Sequence, residues 1–166
     1  MSSPVISIEL LADHSDCIPT IAEWFVAQSP EYYAGRSRRD IENGLAGEMN
    51  RDRIPLRLVA LNGTKVVGTV VLRKYAGHSE PPLEPGLGGL YVAEGNRRRG
   101  IGTALVVVAM EWALQMGMDR LFATTATAGR IFEALGWKQD GFADYGNERL
   151  SIYRYDMDRR IGGNGR

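Results

Sequence analysis

Apolar and polar positions alternate or recur at regular spacing along the first third of the chain. Val5 to Leu11 partly alternates, which predicts a first strand. From about Ile18 to Gln28 the apolar residues recur at helical spacing, which predicts a first helix with one buried face. Ser37 and Asp40 have the spacing of a capping box, so a second helix is expected to begin there and to run to about Met49.

The middle of the chain predicts a hairpin followed by a long connection and a short strand. Asn62-Gly63, a strong hairpin dipeptide, separates the predicted strands Leu56 to Leu61 and Lys65 to Lys74. The connection from Tyr75 to Gly86 is long for a compact domain, and loops of that length are often functional. Several glycines precede the apolar strand Leu90 to Val92, which indicates a bulge or a place where a ligand meets the backbone.

The last third predicts two helices and three strands in alternation. The predicted elements are a helix from Ile101 to Met116 capped by Gly117, a strand from Leu121 to Thr124, a short helix from Ala128 to Leu135 closed by Gly136, and a closing pair of strands, Trp137 to Phe142 and Leu150 to Met157. No internal repeat or linker interrupts this pattern, so we expect one domain over residues 1–160 with a disordered tail over residues 161–166.

Composition narrows the function classes. The 166 residues are 44% hydrophobic and 24% charged, and the formal net charge is zero, which argues against a nucleic-acid-binding protein. Cys17 is the lone cysteine, so no internal disulfide or Cys-rich metal site is expected, and the histidines and carboxylates lack metal-ligand spacing. The most apolar stretch, from Ile101 to Met118, contains Glu111 and two glycines, which indicates a core helix rather than a membrane span. Met1 to Pro4 leads straight into a strand, so we expect a cytoplasmic protein without a signal peptide.

The stretch between the Leu90 to Val92 strand and the Ile101 helix has the pattern of an anion-binding loop. Its residues, Asn-Arg-Arg-Arg-Gly-Ile-Gly, carry the motif Arg-x-x-Gly-x-Gly from Arg97 to Gly102. The first N–H groups of a helix lack internal partners, and the helix dipole adds positive potential there. A P-loop is excluded because no lysine follows Gly100, and the dinucleotide fingerprint Gly-x-Gly-x-x-Gly is not matched.

Four local patterns and the order of the elements resemble the GNAT superfamily of N-acetyltransferases. Leu90 through Gly102 resembles its acyl-CoA motif, and Ile131 to Trp137, Ile-Phe-Glu-Ala-Leu-Gly-Trp, resembles its motif with the sequence Phe-Tyr-Glu-x-Leu-Gly-Phe. Asn62 to Gly68 resembles the family's hairpin between its second and third strands, and Arg149 to Met157 its last strand. The resemblance implies an α/β (α+β) fold: a mixed, mostly antiparallel sheet of six to seven strands, flanked by about four helices and splayed at the acyl-CoA site.

The resemblance also implies acetyl-CoA as co-substrate, with no metal. Pantetheine would lie along the backbone of the short apolar strand, and the diphosphate on the N–H groups of the loop. The expected cofactor-binding residues are Leu90, Tyr91, Val92, Arg97, Arg98, Arg99, Gly100, Ile101, Gly102, Thr103, Thr125 and Phe132. An amine acceptor is the other expected partner; nucleic acid and membrane are not expected, and a homodimer is left open.

The sequence does not single out one general base or one general acid. An amine of pKa about 10.4 is only about one part in a thousand neutral near pH 7.4, a deficit of about 4 kcal/mol, so a general base is needed. Glu84 is the first candidate because it lies nearest the short strand; Glu80 and His78 are alternatives.

The family's usual acid is a tyrosine, and its position here is held by Phe132, which has no proton to give. Water, Tyr145 or Tyr153 would then assist the leaving thiolate. Two functions stay open on these grounds. One is a slow N-acetyltransferase acting on a small-molecule or peptide amine, and the other is a non-catalytic acyl-CoA-binding module of the same fold.

Overall fold

A seven-stranded sheet forms the centre of the structure, a computed structural model that describes residues 5–77 and 79–157. The strands are β1 Ile6–Leu10, β2 Leu56–Asn62, β3 Lys65–Arg73, β4 Gly86–Val92, β5 Arg120–Thr125, β6 Lys138–Tyr145 and β7 Glu148–Asp156. Their spatial order is β1-β2-β3-β4-β5-β7-β6. Neighbouring strands run antiparallel except β4 and β5, which are parallel, so the mixed, mostly antiparallel sheet predicted from the sequence is confirmed.

Helices cover both faces of the sheet. They are α1 Ile18–Gln28, α2 Arg38–Ala46, α3 Ile101–Gln115 and α4 Gly129–Ala134. Side chains of β2 alternate between the two faces: Leu58 packs in one core with α3, and Val59 packs in a second core with α1 and α2. This alternation follows from the period of two along a strand, and it gives three layers with two apolar interfaces.

Most element boundaries agree with the sequence pattern to within about one residue, and four elements differ by more. The capping box of α2 is present, but the helix ends at Ala46 because Met49 pairs with Leu56 in a β-bridge. Strand β4 begins at Gly86 rather than Leu90, since its glycines pair with β3. The last two strands are longer than predicted, which leaves only Gly146-Asn147 as their turn.

The sheet is interrupted where β4 leaves β5. Thr69 pairs with Tyr91 and Val71 with Gly88, so β4 contains one residue more than β3 over this interval, which defines a bulge. Gly89 lies within it at φ +59°, a conformation that favours glycine. β4 pairs with β5 only at Gly86 and Leu87. Beyond Leu87 the two strands diverge, as the predicted splay requires.

His78 and the predicted disordered tail at residues 161–166 lie outside the described residues. Within residues 5–77 and 79–157, no helix is long and apolar enough to span a membrane.

Candidate active site

The loop that precedes α3 presents main-chain N–H groups on an open surface. Arg98 has φ +66° and Gly100 has φ +78°. Gly100 is left-handed and is followed by the right-handed first residue of α3, Ile101, and such a pair turns successive N–H groups toward one side. The first intrahelical hydrogen bond of α3 is from the Ala104 N–H to the Gly100 carbonyl, at 3.0 Å. The N–H groups of Ile101, Gly102 and Thr103 precede it, so the helix has no acceptor for them. They can bind an anion.

The positive φ at Arg98 is the only such value at a non-glycine residue in the described chain. A left-handed conformation costs a residue with a Cβ roughly 1–2 kcal/mol, and strain of this kind concentrates at ligand-binding segments. A Cβ built on Gly100 would meet nothing within 4 Å. That side of the loop is therefore open to a ligand.

The side chain of Arg97 folds back onto β4. Its Nε donates a 2.8 Å hydrogen bond to the Val92 carbonyl, and its guanidinium lies 5.4 Å from the centre of the Tyr91 ring. Tyr91 in turn stacks on Trp24 of α1, with centroids 5.0 Å apart. Arg97 thus braces the loop against the strand, while Arg98 and Arg99 are exposed to solvent.

Gly102 has a packing role that the sequence did not reveal. A Cβ at this position would lie 2.9 Å from Cδ1 of Ile131 in α4 and 3.8 Å from Cγ2 of Val92. The missing side chain therefore lets α3 approach α4 and β4 closely.

A cleft of about 380 Å³ fills the gap between β4 and β5. Three predicted cofactor-binding residues that are distant in the sequence, Leu90, Thr125 and Phe132, all line this cleft. The hydroxyl oxygen of Thr125 accepts hydrogen bonds from the N–H groups of Ala128 at 2.8 Å and Thr127 at 3.2 Å. Those bonds fix the turn from β5 into α4, so they set the position of Phe132 at the cleft wall.

A second cavity, of about 310 Å³, lies on the α1–α2 side of β4. The end of α1, the segment after it, α2 and the strand residues Arg57 and Arg73 form its walls. The two cavities share three lining residues, Gln28, Ser29 and Gly89. They therefore meet at the bulge of β4.

The floor of the second cavity contains a buried ion pair. Arg57 is 3% exposed, and its Nε donates a 2.7 Å hydrogen bond to Oε1 of Glu48. Its Nη1 donates to the Thr69 hydroxyl at 3.0 Å, and the Phe25 ring lies 5.2 Å from the guanidinium carbon. The guanidinium also lies under Gly89, where an added Cβ would be 3.3 Å from Nη2.

Arg73 is the second arginine of this cavity, and it lies against the bulge itself. Its Nε donates to the Tyr75 carbonyl at 3.0 Å, and a Cβ on Gly88 would overlap its guanidinium. Loss of hydration on burial, and then the charge of Arg57, hold the Arg73 pKa below its ordinary value. Sequence reasoning missed Arg57, Arg73 and Glu48, because nothing in a single strand pattern shows that such residues face one cavity.

Among the described residues, the predicted acid–base candidates Glu80, Glu84, Tyr145 and Tyr153 line neither cavity. Glu84 is exposed in the connection just before β4, and Tyr145 ends β6 with 40% exposure. Tyr153 is buried, and its hydroxyl donates a 2.7 Å hydrogen bond to Oε2 of Glu133, which raises the Tyr153 pKa. Phe132 packs against the rings of Trp137 and Tyr153, with centroids 4.8 and 5.7 Å apart.

No group of three or more His, Cys, Asp or Glu side chains in the described part of the chain is arranged to hold a metal ion.

Comparisons with known proteins point to one family. The family model described as acetyltransferase (GNAT) family matches residues 18–137. This range includes every lining residue of the second cavity and all those of the cleft except Glu148 and Leu150. No curated protein matches the chain.

Solved structures match along nearly the whole fold. The Salmonella typhimurium acetyltransferase yncA with its cofactor acetyl-CoA has a TM-score of 0.70 and 17% identity, over 93% of this chain and 95% of that one. The ribosomal-protein-S5-alanine acetyltransferase from Vibrio fischeri has a TM-score of 0.69 and 17% identity, over 95% and 96%. An aminoglycoside 6'-N-acetyltransferase complexed with coenzyme A has a TM-score of 0.69 and 18% identity, over 92% and 96%.

Proposed function

Because the chain belongs to the GNAT family of acetyltransferases, we propose that it transfers the acetyl group of acetyl-CoA to a primary amine of a small molecule or peptide. The amine attacks the thioester directly while both substrates are bound. The observation that carries this proposal is the meeting of two cavities at Gly89. One cavity suits the acyl-CoA arm and the other an acceptor, and the reacting atoms would meet where the walls are shared.

The acyl-CoA side is assigned to β4 and the loop after it. Leu90 to Val92 lie beyond the last β4–β5 pair, at Leu87 and Ala123, so their main-chain groups on that side are available to a ligand placed like an added strand. The N–H groups of Ile101, Gly102 and Thr103 would hold the diphosphate, and Arg97 would keep the loop against β4. The solved relatives with acetyl-CoA or coenzyme A bound support the choice of ligand.

The bulge is where the carbonyl chemistry would take place. A main-chain N–H freed by the register change at Gly88 and Gly89 would polarise the thioester oxygen and stabilise the negative charge of the tetrahedral intermediate. The acceptor amine must lose a proton. We assign that role to Glu84, which lies two residues before β4 and is exposed to solvent. Because Glu84 lines neither cavity, it would act through water.

The leaving thiolate needs little help, because a thiol of pKa near 8.5 departs tolerably as an anion. Neither Tyr145 nor Tyr153 lines a cavity, and the Tyr153 hydroxyl is engaged by Glu133. We therefore propose that water protonates the thiolate. The expected enzyme is slow, because general acid catalysis is typically worth about 10²- to 10⁴-fold.

A non-catalytic acyl-CoA-binding module is the second candidate. Phe132 favours it, since this residue forms part of the cleft wall and has no proton to donate. Such a module would keep the loop and the cleft but would transfer nothing.

The experiment that separates the two follows free thiol released from acetyl-CoA against a broad panel of amines, with the product identified by mass spectrometry. Amine-dependent thiol release with a hydroxylamine-stable amide product is expected. Binding of acetyl-CoA with no amine-dependent release from any member of the panel would favour the binding module.

A further inference from the structure

We propose that the acceptor carries a carboxylate close to its amine, and that Arg73 binds this carboxylate. This inference rests on the proposed function, because it names the class of amine that the second cavity receives. An α-amino acid, rather than a polyamine or an unmodified cationic amine, is the acceptor class that fits.

The charges that line the cavity carry the inference. Its walls include three guanidinium groups, Arg36, Arg57 and Arg73, and two carboxylates, Asp40 and Glu48. One positive charge is therefore in excess. An acceptor that brought only a cationic amine would add to that excess, whereas a zwitterionic amino acid brings a carboxylate that offsets it.

Three of the other four charged groups have hydrogen-bonded partners, and the fourth, Arg36, lies over two aromatic rings. Glu48 pairs with Arg57 at 2.7 Å, and Asp40 accepts from the Ser37 N–H at 3.3 Å in the capping box of α2. Arg36 lies over the rings of Tyr32 and Tyr33, 4.8 and 5.8 Å from their centres.

Arg73 differs from the three hydrogen-bonded groups in its free donors, and from Arg36 in its burial. Arg36 is exposed to solvent, whereas Arg73 is partly buried. Its only hydrogen bond within the described residues uses Nε, to the Tyr75 carbonyl, and no carboxylate there lies within 4.0 Å of it. Its terminal nitrogens keep the planar, paired donors that match a carboxylate. Burial and the charge of Arg57 both lower the Arg73 pKa, so a bound anion would relieve an unfavourable environment.

The position of Arg73 suits an acceptor whose carboxylate and amine are close together. The guanidinium packs against Gly88, the residue before Gly89, where the two cavities meet. In an α-amino acid a single carbon separates the amine from the carboxylate. A carboxylate on Arg73 would thus leave the amine at the bulge, where the thioester is proposed to lie.

The size and walls of the cavity limit the rest of the acceptor. A volume of about 310 Å³ is at the small end of ligand pockets. Phe25, Ile41 and Leu45 supply apolar surface, so amino acids with aliphatic or aromatic side chains are the members of the class to examine first.

The test compares L-leucine and L-phenylalanine with their α-amides, which keep the amine and the side chain but lack the negative charge. Binding is measured by calorimetry in the presence of saturating coenzyme A, and transfer by thiol release from acetyl-CoA. The variants are Arg73→Gln, Arg73→Lys and, as a matched control outside both cavities, the exposed Arg53→Gln. Thermal denaturation confirms that each variant is folded.

We expect the amino acids to bind at least roughly 10-fold more tightly than their amides, and Arg73→Gln to weaken amino acid binding by roughly 10- to 100-fold, the range for a charged hydrogen bond. Arg73→Lys should retain part of the preference and Arg53→Gln all of it. The inference is overturned if the amides bind as well as the acids, if neither binds, or if the preference survives in Arg73→Gln. It is also overturned if Arg73→Gln slows transfer to acids and amides equally, because the guanidinium would then act on the acetyl group.

These outcomes separate the inference from the proposed function. Arg73-dependent binding of amino acids without transfer would leave the inference standing and contradict the proposed acetyltransferase. Transfer to amines that lack a carboxylate, with no preference for amino acids, would support the proposed acetyltransferase and contradict the inference about Arg73.

Discussion

The hydroxyl of Tyr153 donates a hydrogen bond of 2.7 Å to the carboxylate of Glu133. This pair connects β7 to α4 directly behind Phe132, whose ring lies parallel to that of Tyr153. Phe132, at the wall of the acyl-CoA cleft, therefore packs on a ring whose hydroxyl is anchored by a part-buried hydrogen bond.

Phe132→Tyr would place a hydroxyl at the position where the GNAT motif usually has its tyrosine acid. We expect kcat to rise, or at worst to stay unchanged, with little effect on the affinity for acetyl-CoA. The added hydroxyl enters a site that is 3% exposed, so a stability loss of about 1 kcal/mol is expected if it finds no partner. A clear loss of turnover in a folded variant would show that the cleft requires an apolar residue here.

Tyr153→Phe and Tyr145→Phe test whether either tyrosine protonates the leaving thiolate. If water does so, each variant should change kcat by less than about 10-fold, since loss of a general acid typically costs about 10²-fold or more. Tyr153→Phe should also lower the free energy of unfolding by about 1 kcal/mol, because the bond to Glu133 is lost. A hundred-fold fall in kcat for one variant would identify that tyrosine as the acid.

Glu48→Ala should destabilise the fold strongly, because it leaves the buried guanidinium of Arg57 without its carboxylate. Breaking one side of a buried pair costs on the order of 3 kcal/mol, measured here by urea denaturation. Glu42→Ala is the matched control, since its 2.9 Å pair with Arg38 lies on the surface of α2 and should be worth about 0.5 kcal/mol or less. Equal losses for the two variants would contradict the assigned role of the buried pair.

Cys17 should be unreactive at neutral pH. Burial raises the pKa of its thiol from 9.0 to about 11, with the Asp16 charge adding to the effect. A raised pKa means that the neutral thiol is favoured in the folded state. Its contribution to stability is therefore complete below pH 9 and is lost as the pH rises through about 11. Alkylation by iodoacetamide at pH 8 should be far slower in the folded chain than in urea, and equal rates would contradict this burial.

Local patterns in the sequence predicted the parts of the fold that local interactions determine. The bounds of α1, the capping box of α2 and the Asn62-Gly63 hairpin all agree with the structure. The glycines before Leu90 indicated the bulge correctly. The end of α2 was wrong because a tertiary contact, the bridge between Met49 and Leu56, overrides the helical pattern.

The second cavity, which is proposed to receive the acceptor, could not be predicted in the same way. Arg57 is the one charged residue of the otherwise mostly apolar strand β2, and Arg73 is the last residue of β3. Neither position shows in the sequence which way its side chain faces. Only the pairing of those strands, together with the placement of α2 beside them, turns both toward one cavity with Glu48. The cofactor loop is different, because its function depends on consecutive main-chain groups that a short motif encodes.

The central claim is that the loop before α3 holds the diphosphate of acetyl-CoA, and calorimetric titration of acetyl-CoA tests it most directly. Wild type should bind, and ligand at a hundred times its Kd should stabilise the fold by about 2.7 kcal/mol. Gly100→Val should lose most of that binding, since valine disfavours φ +78° and fills the open side of the loop. Gly63→Val, at φ +64° in the β2–β3 turn with nothing within 4 Å of an added Cβ, carries similar strain and should bind like wild type. Absence of binding in wild type at millimolar acetyl-CoA, or unchanged binding in a folded Gly100→Val, would contradict the claim.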